Sequence, residues 1–248
     1  MRTFAPFCAA AFFVFGSALA AAQVSVPATA SIQLNGGRLD LGAGDLHLTG
    51  TLGIGSGSIV DAENLTIDSA GSLDAGSGAV SLFGNWSNQG SFTAGSSTVN
   101  FIDGPLAQST LSGATTFNAA SFTSSTGKTY VFPVGVTQNF TTSLTILGTP
   151  TAGIQFRSAT PGQAAYVDLL AAGSQNIDYV GVSNVHAVGQ VLAPAKKNDG
   201  GTGDALGWFN SAVIALSAVA APASSRIGML LLAAILVASA TRLRRTAL

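Results

Sequence analysis

Apolar residues recur two positions apart along most of the middle of the chain. The clearest pairs are Leu39 and Leu41, Leu46 and Leu48, Leu52 and Ile54, Leu65 and Ile67, Leu73 and Ala75, Val80 and Leu82, and Val99 and Phe101. Side chains two positions apart point to the same face of a β-strand. The segments between these pairs are rich in Gly, Ser, Thr and Asn, which favour turns. The pattern predicts many short strands and no helix between Gln23 and Gly207.

A short unit occurs three times within the first half of the chain. The stretch GSLDAGSGAV, which begins at Gly71, has near-copies that begin at Gly50 and Gly90. A fainter copy, GRLDLGAGDL, begins at Gly37. Units of about 20 residues indicate a repeat architecture. Leucine-rich repeats need a leucine–asparagine ladder that this chain lacks, and helical repeats need longer units with helix-forming residues.

The repeated units predict how residues 23–210 fold. One unit cannot bury its apolar face alone, whereas copies stacked about 4.8 Å apart form a continuous core and pair their backbone groups with the coils above and below. We therefore predict an all-β, single-domain β-solenoid, a right-handed parallel β-helix with coils of about 20 residues.

The second half of the chain is less regular, but its pattern still predicts strands. Large apolar residues alternate strictly at Tyr130, Phe132, Val134 and Val136, with Pro133 in the outward phase. The segment 177–182 (IDYVGV) reads as one further strand. We expect the solenoid to continue to about Trp208.

The segment 1–22 has the pattern of a secretory signal peptide. Arg2 supplies a positive start, an apolar stretch follows, and small residues at 18–22 offer cleavage sites for signal peptidase. A retained membrane anchor is the alternative, although the apolar stretch is short for a span of about 20 residues. Cys8 lies inside this segment, so the mature chain is expected to contain no disulfide and no thiolate metal site.

A second apolar run, at 227–240, precedes a basic end of the chain. The run is shorter than the roughly 18 residues of a clear membrane span, but a helix over about 225–243 could still cross with its flanking arginines extended to the interface. The terminal arginines favour a cytoplasmic end. We predict a hydrophobic helix and basic tail at 225–248, preceded by a linker at 211–224. A buried core helix is the alternative.

This tail resembles the three-part C-terminal sorting signals of Gram-negative bacteria, of which the PEP-CTERM signals handled by exosortase are the best known. It is most similar to the related IPTL class. The matching positions are Pro222, Ser225, Gly228, Met229 and the leucines that follow, and the basic cluster is Arg242, Arg244 and Arg245. The chain lacks both the Pro-Glu-Pro motif and the IPTL letters. The resemblance implies a sorting protease or transpeptidase of the exosortase type as a partner and the inner membrane as an anchor.

Residues 81–209 also resemble repeats of large bacterial surface and adhesin-like proteins. The residues that carry the resemblance are Trp86, Asn88, Gly90, Phe92, Val99, Phe101, Thr115, Thr116, Phe117 and Asn118. Most of them occupy positions expected in a core or a turn. The resemblance therefore implies a fold and a setting, and no catalytic residue.

The charge of the middle region excludes several partners. All eleven acidic residues lie there against five basic ones, which gives a net charge of −6 for residues 23–222. Nucleic-acid binding relies on Lys and Arg to neutralise phosphates, so no nucleic-acid partner is expected. Electrostatic binding to anionic lipid is disfavoured for the same reason.

Few residues suggest chemistry. His47 and His186 lack a second ligand at metal-binding spacing, so exposed strand or turn positions are the better interpretation. Asp199 and Asp204 lie in a Gly-rich segment that superficially resembles a calcium loop, but their spacing is not that of alternating ligands and no Glu closes the loop. Both are weak calcium candidates. Thr residues do not recur in register as an ice-binding face requires, and no cofactor is expected.

Six carboxylates cluster near the first coils, namely Asp40, Asp45, Asp61, Glu63, Asp68 and Asp74. They leave open a second hypothesis, a polysaccharide lyase or hydrolase on a β-helix scaffold, which would need paired carboxylates in a cleft. Solvated turn residues explain these carboxylates well, and no basic residue except Arg38 accompanies them. The first hypothesis is an exported structural or adhesion protein of the cell envelope or extracellular matrix, with exopolysaccharide as a candidate partner. Its precursor would be held in the inner membrane facing the periplasm.

Overall fold

The computed structural model describes residues 23–210, which contain nineteen β-strands and no helix. The first ten strands are β1 (Gln23–Val26), β2 (Ser31–Gln33), β3 (Arg38–Leu48), β4 (Thr51–Gly53), β5 (Ser58–Ile67), β6 (Ser72–Asp74), β7 (Ala79–Leu82), β8 (Trp86–Asn88), β9 (Ser91–Thr93) and β10 (Thr98–Phe101). The others are β11 (Gln108–Ser112), β12 (Thr115–Thr123), β13 (Thr129–Phe132), β14 (Thr137–Leu147), β15 (Ile154–Ser158), β16 (Ala165–Leu169), β17 (Ser174–Asp178), β18 (Val180–Ser183) and β19 (Val185–Ala187). The part of the chain that the structure describes holds no helix long and apolar enough to cross a membrane.

The strands stack as a parallel β-solenoid, as the sequence predicts, and the stack has about eight turns. Within residues 23–210, all pairings between named strands are parallel, and each strand pairs with a strand of the preceding or following turn. One sheet contains β2, β4, β6 and β9, and the remaining strands form a continuous fifteen-stranded sheet. The long strands β3, β5, β12 and β14 bend around a corner and contribute to two sides of the coil.

The register confirms the repeat seen in the sequence. Ser72 of β6 pairs with Thr51 of the preceding coil and with Ser91 of the following coil, each the second residue of its copy. Three glycines at equivalent corners, Gly55, Gly76 and Gly95, all have φ between +51° and +60°. Glycine adopts these values without the penalty that a Cβ atom brings. Each coil therefore makes its turn directly above that of the preceding coil.

The fainter copy at Gly37 is not in the register that its letters suggest. The strand that follows Gly37 pairs with the one that follows Gly57, through Arg38 and Ser58. The true equivalents of Thr51 and Leu52 in the first coil are Ser31 and Ile32. The first coil is thus about as long as those that follow it, because backbone pairing between turns requires coils of similar length.

Two strand predictions in the second half are wrong in detail. The alternation from Tyr130 stops at Phe132, where β13 ends, and Val134 and Val136 are only half-buried. The segment 177–182 forms two strands rather than one, because Tyr179 has a φ of +51° and turns the chain between β17 and β18. Period-two alternation does not show where a strand bends around a corner of the coil.

The core changes in composition along the stack. The first coils bury aliphatic residues such as Leu46, Leu65 and Leu73, all inaccessible to solvent. From β8 onward aromatic rings dominate: Phe101 stacks on Phe122 with ring centroids 4.5 Å apart and planes 2° apart. Offset and edge-to-face ring pairs add stabilisation beyond the area that they bury.

The segment after β19 covers the last coil. Asn184 N donates to Asp204 O at 2.7 Å and Ala187 N donates to Leu206 O at 2.8 Å. Trp208 is fully buried and its backbone bridges to Leu192. The described residues thus end on a closed coil rather than an open strand edge. The predicted signal peptide at 1–22, the linker at 211–224 and the hydrophobic helix and tail at 225–248 lie outside the described residues.

Candidate functional site

One side of the solenoid carries a row of short, uncharged polar side chains, which we call the polar face. It consists of Ser81, Asn100, Ser121, Thr145 and Asn176, on β7, β10, β12, β14 and β17. These residues are paired rung to rung, so they lie about 4.8 Å apart along the solenoid axis. For the first four of them, the neighbours on either side in sequence are buried, which fixes their outward direction. Asn176 is itself exposed. Because all five side chains are small, the row is flat and offers hydrogen-bond donors and acceptors at regular intervals.

A second polar row turns one corner of the first coils. Asp45 Oδ1 accepts a hydrogen bond from Asn64 Nδ2 at 2.8 Å, Asn64 Oδ1 accepts one from Asn85 N at 2.8 Å, and Asn85 Oδ1 accepts one from Thr110 N at 2.8 Å. Each side chain satisfies a backbone N–H of the next coil, as Asx residues commonly do in turns. This row is occupied by its own contacts and explains why Asp45 lies there.

The other acidic residues of the first coils are spread over different parts of the coil. Asp40 is in β3 and bonds to Arg38 at 2.8 Å, whereas Asp74 is in β6 of the four-stranded sheet. The hydrogen bond from Arg38 lowers the pKa of the Asp40 carboxyl. Asp68 Oδ2 lies within hydrogen-bonding distance of His47 Nε2, at 2.8 Å, and both side chains are partly exposed. Within residues 23–210 no three His, Cys, Asp or Glu side chains form a group suited to a metal ion.

The weak calcium candidates line different depressions. Asp199 lines a depression of about 410 Å³, together with Tyr179, Lys196 and Lys197. Asp204 borders a second one, near Arg157, of similar volume. The structure therefore does not assign the two carboxylates to one site, and calcium binding by either stays a prediction.

Lys128 is a buried charged residue that the sequence did not single out. Its Nζ atom donates to Phe83 O and, at 3.1 Å, to Ile102 O, and the residue is 1% exposed. Burial lowers the pKa of Lys128, and the negative charge of Asp103 opposes that effect. The ammonium group supplies donors to two carbonyls where the segment between β10 and β11 leaves the regular coil, so its role is structural.

Asp103 stands beside this lysine and holds the loop after β12. It accepts hydrogen bonds from Ser125 N at 2.7 Å, Ser125 Oγ at 3.0 Å and Thr126 Oγ1 at 3.1 Å. Partial burial acts to raise the pKa of Asp103, but the hydrogen bonds from Ser124, Ser125 and Thr126 outweigh it and leave the pKa below its ordinary value. A turn of one coil is thus fixed by an acid of the preceding coil.

His186 is buried rather than exposed, which corrects the sequence-based interpretation. It is 8% exposed, neither ring nitrogen has a hydrogen-bond partner among the described residues, and its ring meets Tyr166 edge-on at 5.9 Å. Burial lowers the pKa of His186, and the charge of Asp204 partly opposes this. A neutral imidazole in this position packs as a flat ring under the closing segment.

The structure adds three features that sequence reasoning missed: the buried Lys128, the Asn64–Asn85 row and the exposed Tyr179. The asparagines had a detectable signal, because their separation in the sequence equals that between the repeat starts Gly50 and Gly71. No local signal marked Lys128 or Tyr179. The sorting-signal residues Pro222, Ser225, Gly228, Met229, Arg242, Arg244 and Arg245 lie outside the described residues.

Comparison with known proteins adds no family to this description. No protein-family model matches the chain, and no curated protein and no solved structure is significantly similar to it.

Proposed function

We propose that this chain is an exported protein of the cell envelope or extracellular matrix with a structural or adhesive role. It would be sorted or anchored through its C-terminal tail by an enzyme of the exosortase type, with exopolysaccharide as its partner. The observation that carries the proposal is the polar face, Ser81 to Asn176, on a solenoid whose backbone groups are paired along the stack. A flat row of small donors and acceptors suits repeated contacts with a hydroxyl-rich or similarly repetitive partner.

The sequence supports the rest of this proposal. The N-terminal pattern at 1–22 favours export, and the apolar run at 227–240 followed by arginines favours a tether. We also propose that the solenoid is right-handed, since crossovers between parallel strands are right-handed in nearly all folds.

A carbohydrate-active enzyme on the same scaffold is the alternative. It would require two carboxylates facing each other across a cleft, about 5–10 Å apart. The placement of Asp40 and Asp74 on different sheets supports the structural role over the enzyme. A panel of neutral and uronate polysaccharides tests the alternative: turnover that is lost in Asp40→Asn or Asp74→Asn would contradict the structural role.

The compartment and mass of the mature protein test the main proposal. We expect the protein in the envelope or medium with residues 1–22 removed, and we expect deletion of residues 242–248 to alter its processing or retention. Cells that lack the protein should lose adhesion or matrix cohesion, and the full-length chain should restore it while the deletion does not. An unprocessed protein in the cytoplasm would overturn the proposal, and unchanged processing and location of the deletion would remove the sorting step.

A further inference from the structure

At the corner between β17 and β18, the backbone conformation is one that disfavours the residue found there, Tyr179. Tyr179 has a φ of +51°, a left-handed value that bulky residues rarely adopt. Comparable corners use residues that tolerate it, with Asp61 at φ +53° and Asn184 at φ +58°. Phe209 also has a positive φ, but it packs on the core beside Trp208. The Tyr179 side chain is instead 37% exposed. A strained aromatic residue that leaves more than a third of its surface in solvent indicates a use for its ring at the surface.

Tyr179 borders the first of two adjoining depressions, which together we call the Tyr179 groove. The first has a volume of about 410 Å³ and is lined by Asp178, Tyr179, Ala195, Lys196, Lys197 and Asp199. The second has a volume of about 320 Å³ and shares Ala195 and Lys196 with the first. Both are open to solvent and adjoin each other at these two residues. The shape therefore fits an extended ligand rather than a compact one.

The groove also joins the polar face. Asn176, the last residue of that row, lines the second depression. A chain-like molecule lying along the polar face would therefore reach Tyr179 at the end of the solenoid.

The charges of the groove select the type of ligand. Two lysines and two aspartates line the first depression, so their charges cancel. Lys196 Nζ donates to Asp178 Oδ2 at 2.8 Å, and this hydrogen bond lowers the pKa of Asp178. The remaining domain is acidic, which disfavours a polyanion. What the groove offers is a flat apolar ring surrounded by hydrogen-bond donors and acceptors.

We propose that the Tyr179 groove binds a neutral saccharide chain, with the aromatic ring against the apolar face of one sugar and the Lys, Asp and Asn side chains on its hydroxyls. This inference rests on the proposed envelope or matrix role, since it is there that the protein would meet polysaccharide. It deepens that role by naming the site and the class of sugar.

Calorimetric titration of the full-length chain, purified in a detergent without a sugar head group, tests the proposal. The probes are neutral oligosaccharides of the cello-, laminari- and xylo- series, with an oligogalacturonide as the acidic comparison. We expect one or more neutral series to bind and the acidic one to bind more weakly. Binding by the oligogalacturonide alone, or by none of the probes, would overturn the assignment.

Substitution of Tyr179 separates recognition from folding. Tyr179→Phe keeps the ring and should bind within a few-fold of the parent protein, whereas Tyr179→Asn should bind about tenfold more weakly or worse. Because Asn tolerates a left-handed φ, Tyr179→Asn should also raise the Tm. Leu170→Ala is the matched control: Leu170 is 45% exposed and lies in the same coil, between β16 and β17, but outside the groove, so its loss should leave binding unchanged.

Failure of the proposed binding site can be distinguished from failure of the proposed envelope role. Unchanged binding in Tyr179→Asn places the ligand elsewhere, and a lowered Tm assigns Tyr179 to the fold. Either result would overturn the assignment of the saccharide site to the Tyr179 groove. Neither would affect the proposed location or adhesive role of the protein. Normal saccharide binding by a protein that stays in the cytoplasm would instead overturn the envelope role.

Discussion

The first coils and the later coils reach the same architecture in different ways. From β4 to β9 the coils repeat at a nearly constant spacing, with glycine above glycine at the corners and, up to β7, aliphatic residues inside. From β12 to β17 the coils lengthen, since Ala119 pairs with Ser143 and Ser143 pairs with Ser174. These longer coils contain the aromatic rings and the buried polar side chains of Lys128 and Gln138. Where the coils are equal in length, repetition of the same residues is sufficient to stack them. Coils of unequal length need larger side chains in the core and polar groups that each find their own hydrogen-bond partner.

The largest expected effect tests the aromatic core of the later coils. Phe122 and Leu82 belong to the same inward row, through Phe101. We expect Phe122→Ala to lower the free energy of unfolding by about 3–5 kcal/mol, since it removes a large buried side chain and its ring partners. Leu82→Ala should cost less, about 2–3 kcal/mol, in the aliphatic part. Urea denaturation of both variants measures the difference, and a larger loss in Leu82→Ala would contradict the comparison.

Lys128 tests whether a buried polar group maintains the irregular part of the stack. Lys128→Ala removes the donor to Ile102 O and one of two donors to Phe83 O, which still accepts from Ser109 Oγ. We expect a loss of about 2 kcal/mol in the free energy of unfolding. The matched control is Lys197→Ala at an exposed position, which should change stability by less than about 0.5 kcal/mol. Equal effects of the two substitutions would show that the buried ammonium group contributes no more to the free energy of unfolding than the exposed one.

Two glycine corners give a smaller and more specific comparison. A Cβ atom at Gly95 would lie 2.1 Å from Gly76 O, whereas at Gly135 it would meet nothing within 4 Å. Both residues have positive φ, so alanine is strained at each, but only Gly95→Ala must also displace the backbone of the coil below. We expect a loss of about 2 kcal/mol or more for Gly95→Ala and about 1 kcal/mol for Gly135→Ala, measured by thermal unfolding. The reverse order would show that close stacking does not restrain the regular corners.

His186 gives the smallest expected effect, a dependence of stability on pH in the last coil. Burial lowers the pKa of His186 in the folded state below its value in the unfolded chain. Its contribution is therefore present above the unfolded pKa of about 6.5 and decreases as the pH falls through the folded pKa. We expect His186→Gln to flatten the change in unfolding free energy between about pH 8 and about pH 5.

The control for this prediction is His47→Gln. His47 is partly exposed in the first coils, outside the segment that closes the last coil. A pH dependence that survives in His186→Gln and disappears in His47→Gln would show that the effect arises in the first coils.

The sequence predicted the fold well where its pattern repeated and less well where it did not. The inward positions Ile59, Val80 and Val99 could be aligned from their glycines, and the structure pairs them directly. Val134 was expected inside because it continues an alternation, but a turn at Gly135 follows Phe132. An alternating pattern contains no information on the direction in which the chain turns.

The candidate site was less predictable than the fold. The polar face could be anticipated as outward positions of strands, but its continuity depends on the register across the longer coils. Lys128 contacts Phe83 O from a distant part of the sequence, and Tyr179 and Lys197 line one depression from separate turns. Such separations leave no local pattern, because the intervening coils have different lengths.

By itself, the sequence determined the strand faces, the approximate coil length and the parallel stacking. The physical reason is that period-two alternation and recurrent glycines act locally and repeat in every coil. The tertiary structure alone decided which polar residues are buried, where the corners fall in the irregular half and which side chains gather around Tyr179. Those features depend on how each coil rests on the preceding one, so they arise from contacts between residues that are distant in sequence.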